Sequence, residues 1–145
     1  MPTTYTSLLG FALPQTGELS GTWGDTVNDY ITKYVDAAVA GTQTLSTDAD
    51  VTLTVTNGSN LGTSSAQYAV LNCTGARTVA RTITVPASSR NYIVINGTTG
   101  GFDVNVVGAG PTTGVAVFPG EKALLVWTGS DFVKVASSII SGGAF

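Results

Sequence analysis

The 145-residue chain has no histidine, one cysteine and one methionine. Histidine is the commonest general base near neutral pH, so its absence argues against ordinary acid–base and nucleophilic catalysis. A single thiol, Cys73, closes no disulfide within the chain. It leaves pairing between chains open. Charge is scarce too. Six basic side chains (Lys33, Arg77, Arg81, Arg90, Lys122, Lys134) face nine acidic ones, for a formal charge of −3. That balance offers no basic patch for nucleic acid. Charged residues make up 10% of the chain, less than half of the roughly 25% usual in soluble domains. A disordered polyampholyte or a coiled coil would need far more. No apolar run reaches the roughly 18 residues of a membrane-crossing helix, so no membrane partner is expected. The start of the chain has neither the basic end nor the long apolar run of a signal peptide.

Hydroxyls and glycine take the place of charge: 23 Thr, 12 Ser and 18 Gly. Such a composition favours strands and turns. The length suits one domain with one core.

Residues 1–24 read as an extended docking arm. Glu18 is its one charged side chain, and Pro and Gly interrupt any long helix or strand. Leu8, Leu9, Phe11, Leu13, Leu19 and Trp23 nevertheless call for burial, on the chain's own core or on a partner. Residues 25–41 read as one amphipathic helix. Val27, Tyr30, Ile31, Tyr34, Val35 and Ala38 recur at helical spacing, as a packing or oligomer face. Asp25 can cap the start, Gly41 can end it, and Lys33 can pair with Asp29 or Asp36.

Residues 42–136 read as a β domain. Asp50–Thr56 alternates apolar and hydroxyl side chains and runs into Asn57-Gly58, a hairpin signal. Further runs fall at Ala66–Cys73, Arg81–Val85, Tyr92–Ile95, Phe102–Val107, Val115–Phe118, Lys122–Trp127 and Phe132–Val135. Tyr92–Ile95, apolar on both faces, is expected at the centre of a sheet. About eight short strands at roughly ten-residue spacing predict a mainly β fold, an antiparallel sandwich or barrel. Residues 137–145, uncharged and Gly-rich, read as an arm or linker. No internal repeat is visible in the sequence.

Catalytic and ligand motifs are weak. Gly108-Ala109-Gly110 lacks the third glycine and the helix of a dinucleotide fingerprint, and no other cofactor signature occurs. The carboxylates Glu18, Asp25, Asp48 and Asp50 are the candidates for a hydrolase. Asp48 and Asp50 could also serve a calcium loop, although the full pattern for one is absent. Cys73 lies in a strand pattern and reads as a small buried residue. Tyr92 with Asn91, or Trp127 with Asp131, could form a sugar platform; both rings also read as core.

The most specific signal is near the start. Ser7-Leu8-Leu9-Gly10-Phe11-Ala12-Leu13-Pro14, followed by Thr16-Gly17-Glu18-Leu19-Ser20-Gly21-Thr22-Trp23-Gly24-Asp25, resembles a segment at the head of tail-fibre-like and other appendage proteins of tailed bacteriophages. The resemblance runs on through the helix, Thr42–Ser46, Asp50–Thr56, Ala109–Thr112, Gly120–Trp127 and Phe132–Val135, and so covers most of the chain. It implies a non-enzymatic structural protein of the virion that attaches an appendage to the particle. The implied partners are other virion proteins and, fibres being commonly trimeric, two further copies of this chain. Proteins of this kind run on into longer distal segments, whereas this chain stops at Phe145 in a Gly-rich stretch. Attachment is therefore expected rather than binding of a host receptor. A capsid decoration or head-fibre protein is the alternative, and a carbohydrate-binding module a further one.

Overall fold

The structure is a computed structural model that describes residues 3–110 and 113–138. A two-stranded antiparallel hairpin comes first, β1 (Thr4–Tyr5) with β2 (Ala12–Leu13). A continuous helical rod follows: α1 (Trp23–Val27), a π-helical turn (Asn28–Thr32) and α2 (Lys33–Ala40). Nine strands complete the chain: β3 (Thr42–Leu45), β4 (Val51–Thr52), β5 (Val70–Cys73), β6 (Arg81–Val85), β7 (Asn91–Asn96), β8 (Val104–Gly108), β9 (Val115–Val117), β10 (Lys122–Trp127) and β11 (Phe132–Ser137).

These nine strands form two open sheets, in the orders β11-β10-β7-β5-β3 and β4-β6-β8-β9. From β3 to β8 each strand belongs to the sheet opposite its predecessor's. The chain therefore winds, and same-sheet neighbours run parallel: β3 with β5 and β7, β4 with β6 and β8. The last winding step is uniform. Val70 lies beside Ile93, Ala76 beside Thr99 and Arg81 beside Val104, each pair 23 residues apart. The first step is not: Thr42 pairs with Val70 and Val51 with Ile83, offsets of 28 and 32. The chain then turns back on itself, adding β9, β10 and β11 antiparallel.

The mainly β expectation holds, but the barrel and the all-antiparallel pairing are corrected: the two sheets are open and mixed, with parallel windings. Alternating apolar residues show which side of a strand is buried and nothing about the direction of its neighbour. Asn57-Gly58, and the same dipeptide at Asn96-Gly97, do not make hairpins, for a physical reason. At Asn96-Gly97 the chain does not double back, because Gly97 N–H continues the parallel ladder by donating to the Cys73 carbonyl at 2.9 Å. Asn57-Gly58 likewise opens onto a loop, with Gly58 at φ +61° packed under the Tyr5 hydroxyl. The predicted hairpin at the end is present as β10 and β11. β7 is indeed the middle strand of five.

One core joins the two sheets. Leu45, Leu71, Cys73, Val94 and Leu125 come from one, and Ile83, Val85, Val106 and Val117 from the other. Parallel register stacks inward side chains on successive windings, Gln43 on Leu71 on Val94 and Leu45 on Cys73 on Asn96, all buried. Each fully buried Leu or Val adds about 1.5–3 kcal/mol relative to exposure. Asn96 is accommodated because its amide is fully used. It donates to the carbonyls of Phe102 and Val117 and accepts from Thr98 N–H and hydroxyl. Gly108 is required by packing: a Cβ there would sit 2.4 Å from the Trp127 ring.

The arm is not extended. Its hairpin folds onto the chain's own β body, where Gln67 Nε2 donates to the Leu9 carbonyl (3.2 Å) and the Thr56 carbonyl (2.7 Å). Arg90 donates to the Leu8 and Ala66 carbonyls. The helix runs from Trp23 to Ala40 rather than 25–41, and Asp25 lies in its first turn, not at its cap. Gly41 follows it in extended conformation, φ −78°, where a Cβ would lie 2.7 Å from the Ala37 backbone.

Candidate functional site

Two of the four carboxylates that could have run chemistry, Asp48 and Asp50, are engaged in holding the windings together. Asp48 accepts from Arg81 Nε at 2.7 Å and from the Thr78 hydroxyl at 2.7 Å, tying the first winding to the second. These two bonds hold its carboxyl down to about 2. Asp50 accepts from Thr82 N–H at 2.9 Å. Glu18 accepts from the Thr3 hydroxyl and Gln15 N–H, and so belongs to the arm's own turn. Asp25 is exposed on the helix. The structure thus brings neither Glu18 with Asp25 nor Asp48 with Asp50 into a cleft.

Two further acidic groups, Glu121, without a role in the sequence reading, and Asp131, read there beside Trp127, are structural anchors. Glu121 is buried. Burial opposes its ionisation, but Lys134 Nζ at 2.7 Å, the Ser137 hydroxyl and Phe118 N–H outweigh it and hold the carboxyl below its usual range. Asp131 accepts from the N–H groups of Thr113, Gly114 and Phe132, pinning the loop before β9 to the β10–β11 turn. Arg77 is buried and donates to the Leu45 and Ser46 carbonyls, closing the corner after β3. The buried Cys73 thiol is pushed up to about 11 by desolvation, which makes it a poor nucleophile. Among the described residues, no group of three or more acidic, histidine or cysteine side chains could hold a metal ion.

The sugar-platform rings point inward. Tyr92 is buried and its hydroxyl donates to the Ala66 carbonyl at 2.8 Å. Trp127 packs on Phe132, ring centroids 5.2 Å apart, and over Gly108. The hydroxyl-rich trough at the free edges of β3 and β4, about 400 Å³, carries Thr44, Ser46, Asp50 and Thr52 and no aromatic ring.

What remains outward is apolar. In the arm, Leu9, Phe11 and Leu19 are half-buried, whereas Leu8, Leu13 and Trp23 are exposed. Leu8 and Leu9 line a cleft of about 250 Å³ with Ala38, Tyr68 and Arg90, between the arm and the helix end. Leu19 is the one non-glycine at positive φ (64°) among the described residues, where the chain turns toward the helix.

The helical stripe read from the sequence divides in two. Tyr34 is wholly buried, its hydroxyl donating to the Ser59 carbonyl at 2.6 Å, and Tyr30 packs on it edge-to-face at 6.2 Å between ring centroids. With Ala37, buried, and Ala38, half-buried, these residues seat the helix on the chain's own β body. Val35 instead is 42% exposed, and the unanticipated Val39 is 76% exposed. Val27 and Ile31 are half-buried. Trp23, 59% exposed, lies one further step of four back along the rod. The spacing Trp23, Val27, Ile31, Val35, Val39 was visible in the sequence; the six-residue stripe that straddled two faces hid it. On the five-stranded sheet, Ile93, Val133 and Val135 also point outward, as alternation with buried Tyr92, Val94 and Phe132 requires.

Among the described residues, the carboxylates singled out above do not converge on one cleft. The arrangement presents apolar side chains beside a body in which Asp48 is paired with Arg81 and Glu121 with Lys134. Compared with protein-family models, with curated proteins and with solved structures, the chain finds no match.

Proposed function

We propose that this chain is a non-enzymatic structural protein of a bacteriophage virion, the attachment module of a tail fibre or related appendage, working as a homotrimer. The observation that carries the reading is the density of exposed apolar side chains in residues 8–39, where Leu8, Leu13, Trp23, Val35 and Val39 make up half of the ten exposed large apolar residues described. Patches of this kind mark protein–protein contact. The resemblance of residues 7–25 to the heads of phage appendage proteins supplies the kind of particle. A wound body tied by ion pairs and side-chain–backbone bonds suits a part that must stay folded outside the cell. The contact is made by the outward side chains of a folded hairpin and rod, not by a free arm.

Electron microscopy of particles labelled through this chain tests the reading, and label on the tail is the expected result. Label on the head lattice would assign the chain to capsid decoration instead, and unlabelled particles would exclude both. Replacing Leu8 and Leu13 together by Asp should leave the domain folded and remove it from particles.

A further inference from the structure

We infer that the row Trp23, Val27, Ile31, Val35 and Val39, exposed at Trp23, Val35 and Val39 and half-buried at Val27 and Ile31, is a seam along which copies of this chain pack helix against helix. The trimeric count rests on the function proposed above, but the seam does not. Five apolar residues at intervals of four would drift about 40° around a regular α-helix at each step, because four residues overshoot a 3.6-residue turn. The π-helical turn at Asn28–Thr32 lies within the row. Its wider turn takes up part of that drift. The row is thereby kept on one side of a rod about 24 Å long, at 1.5 Å per residue. A straight apolar row along a helix fits a second helix running beside it.

Three observations point to another copy as the occupant. One flank of the rod is already committed, since Tyr34 and Ala37 are buried on the chain's own body. The neighbouring row on the free side, Gly24, Asn28, Thr32 and Asp36, is small or polar with one charge. Asp25, Asp29 and Lys33 fall on the far side of the wheel, with Lys33 neutralised by Asp29. Copies with net charge −3 can therefore meet at this seam with little like-charge opposition. Finally, the row exposes on the order of 400 Å² of apolar surface, within the range of the largest functional patches on monomers. Two facing rows supply roughly two thirds of the ~1,200 Å² that a specific interface removes. Gly24, Asn28 and Thr32 beside them can supply the rest as rim. In a closed ring the rods run parallel, so equivalent residues meet.

Mass in solution, measured by light scattering after size exclusion, tests this with the full chain. The wild type is expected at about three times its 14.7 kDa. Val35→Glu with Val39→Glu should bring it to one chain, with circular dichroism and melting showing the β body intact. Ile93→Glu with Val133→Glu, on the sheet face, should leave the assembly unchanged. A wild-type monomer overturns both the seam and the trimer. A dimer dispersed by the helix variant supports the seam and overturns the trimer. An assembly that survives the helix variant and falls to the sheet variant overturns the seam alone. Should the helix variant misfold, Val35→Cys in a Cys73→Ser background gives a second reading. Rapid oxidation to a linked pair of chains supports the seam, and no link, with Ile93→Cys linking instead, overturns it.

Discussion

Residues 3–40 and residues 42–138 use their side chains in opposite ways. In the wound body, charge is spent internally: Asp48 on Arg81, Glu121 on Lys134, Arg77 on two carbonyls and Asp131 on three N–H groups. In the hairpin and rod, the tie to the rest runs through backbone carbonyls, two tyrosines and Gln67. Large apolar side chains there are left outside. Internal pairing of charge is thus concentrated in one stretch and exposed apolar surface is denser in the other, although Val79, Ile93, Phe118, Val133 and Val135 also lie outward on the body. A substitution at the surface of one stretch should leave the other's surface largely untouched.

The largest expected effect breaks the body. Leu71 is wholly buried between Gln43 and Val94 on the windings to either side. Leu71→Ala should cost about 2–5 kcal/mol, read as a lowered urea midpoint, and should unfold the hairpin and rod together with the body. A smaller effect isolates the first stretch. Gly10 has φ +66°, and a Cβ there would lie 2.2 Å from the Thr56 carbonyl oxygen. Gly10→Ala should release the hairpin, at a local cost of about 1–3 kcal/mol. Hydrogen exchange should then speed up at residues 4–13 while β5 and β7 stay protected. Equal loss of protection in those strands would merge the two stretches into one cooperative unit.

The smallest effect sharpens the contrast through pH. Asp48 has its carboxyl lowered to about 2 from an ordinary 3.8. A lowered folded value stabilises above the unfolded one, and that contribution fades as pH falls from about 3.8 through 2. Arg81→Gln should move the Asp48 midpoint, followed by NMR, back toward 3.8. The rod's surface pair Asp29–Lys33 should be indifferent to that change.

Much of this was legible in the sequence, and the misses have physical causes. Periodicity located the helix and the strands Arg81–Val85, Lys122–Trp127 and Phe132–Val135 within a few residues. Asp50–Thr56 read as one strand, but only Val51–Thr52 pairs as one. Leu53 N–H still donates to the Thr84 carbonyl at the end of that ladder, and Thr54 turns instead to a single bridge with Ser65. The parallel windings were hidden because the 23-residue step repeats once, after a step of different length, and carries no shared motif. Of the outward surface, Leu8, Leu13, Trp23 and Val35 had been singled out from sequence. Val39 had not: it continues the four-residue spacing but falls outside the i, i+3, i+4 stripe, which follows Tyr30 and Tyr34 onto a second face. Residues 139–145, most of the C-terminal arm read from sequence, lie outside the described residues.

The 23-residue step has a consequence for length. Adjacent strands stand about 4.8 Å apart, so each winding of this kind advances the body by a fixed small increment. Because partners in both sheets share the same offset, a further unit of 23 residues after β6 would meet the ladder of its predecessor in register on both sides at once. Growth by whole units preserves the two ends, the tied first corner and the antiparallel close. In this chain one winding step has that length, from β5 and β6 to β7 and β8, and the step before it has offsets of 28 and 32.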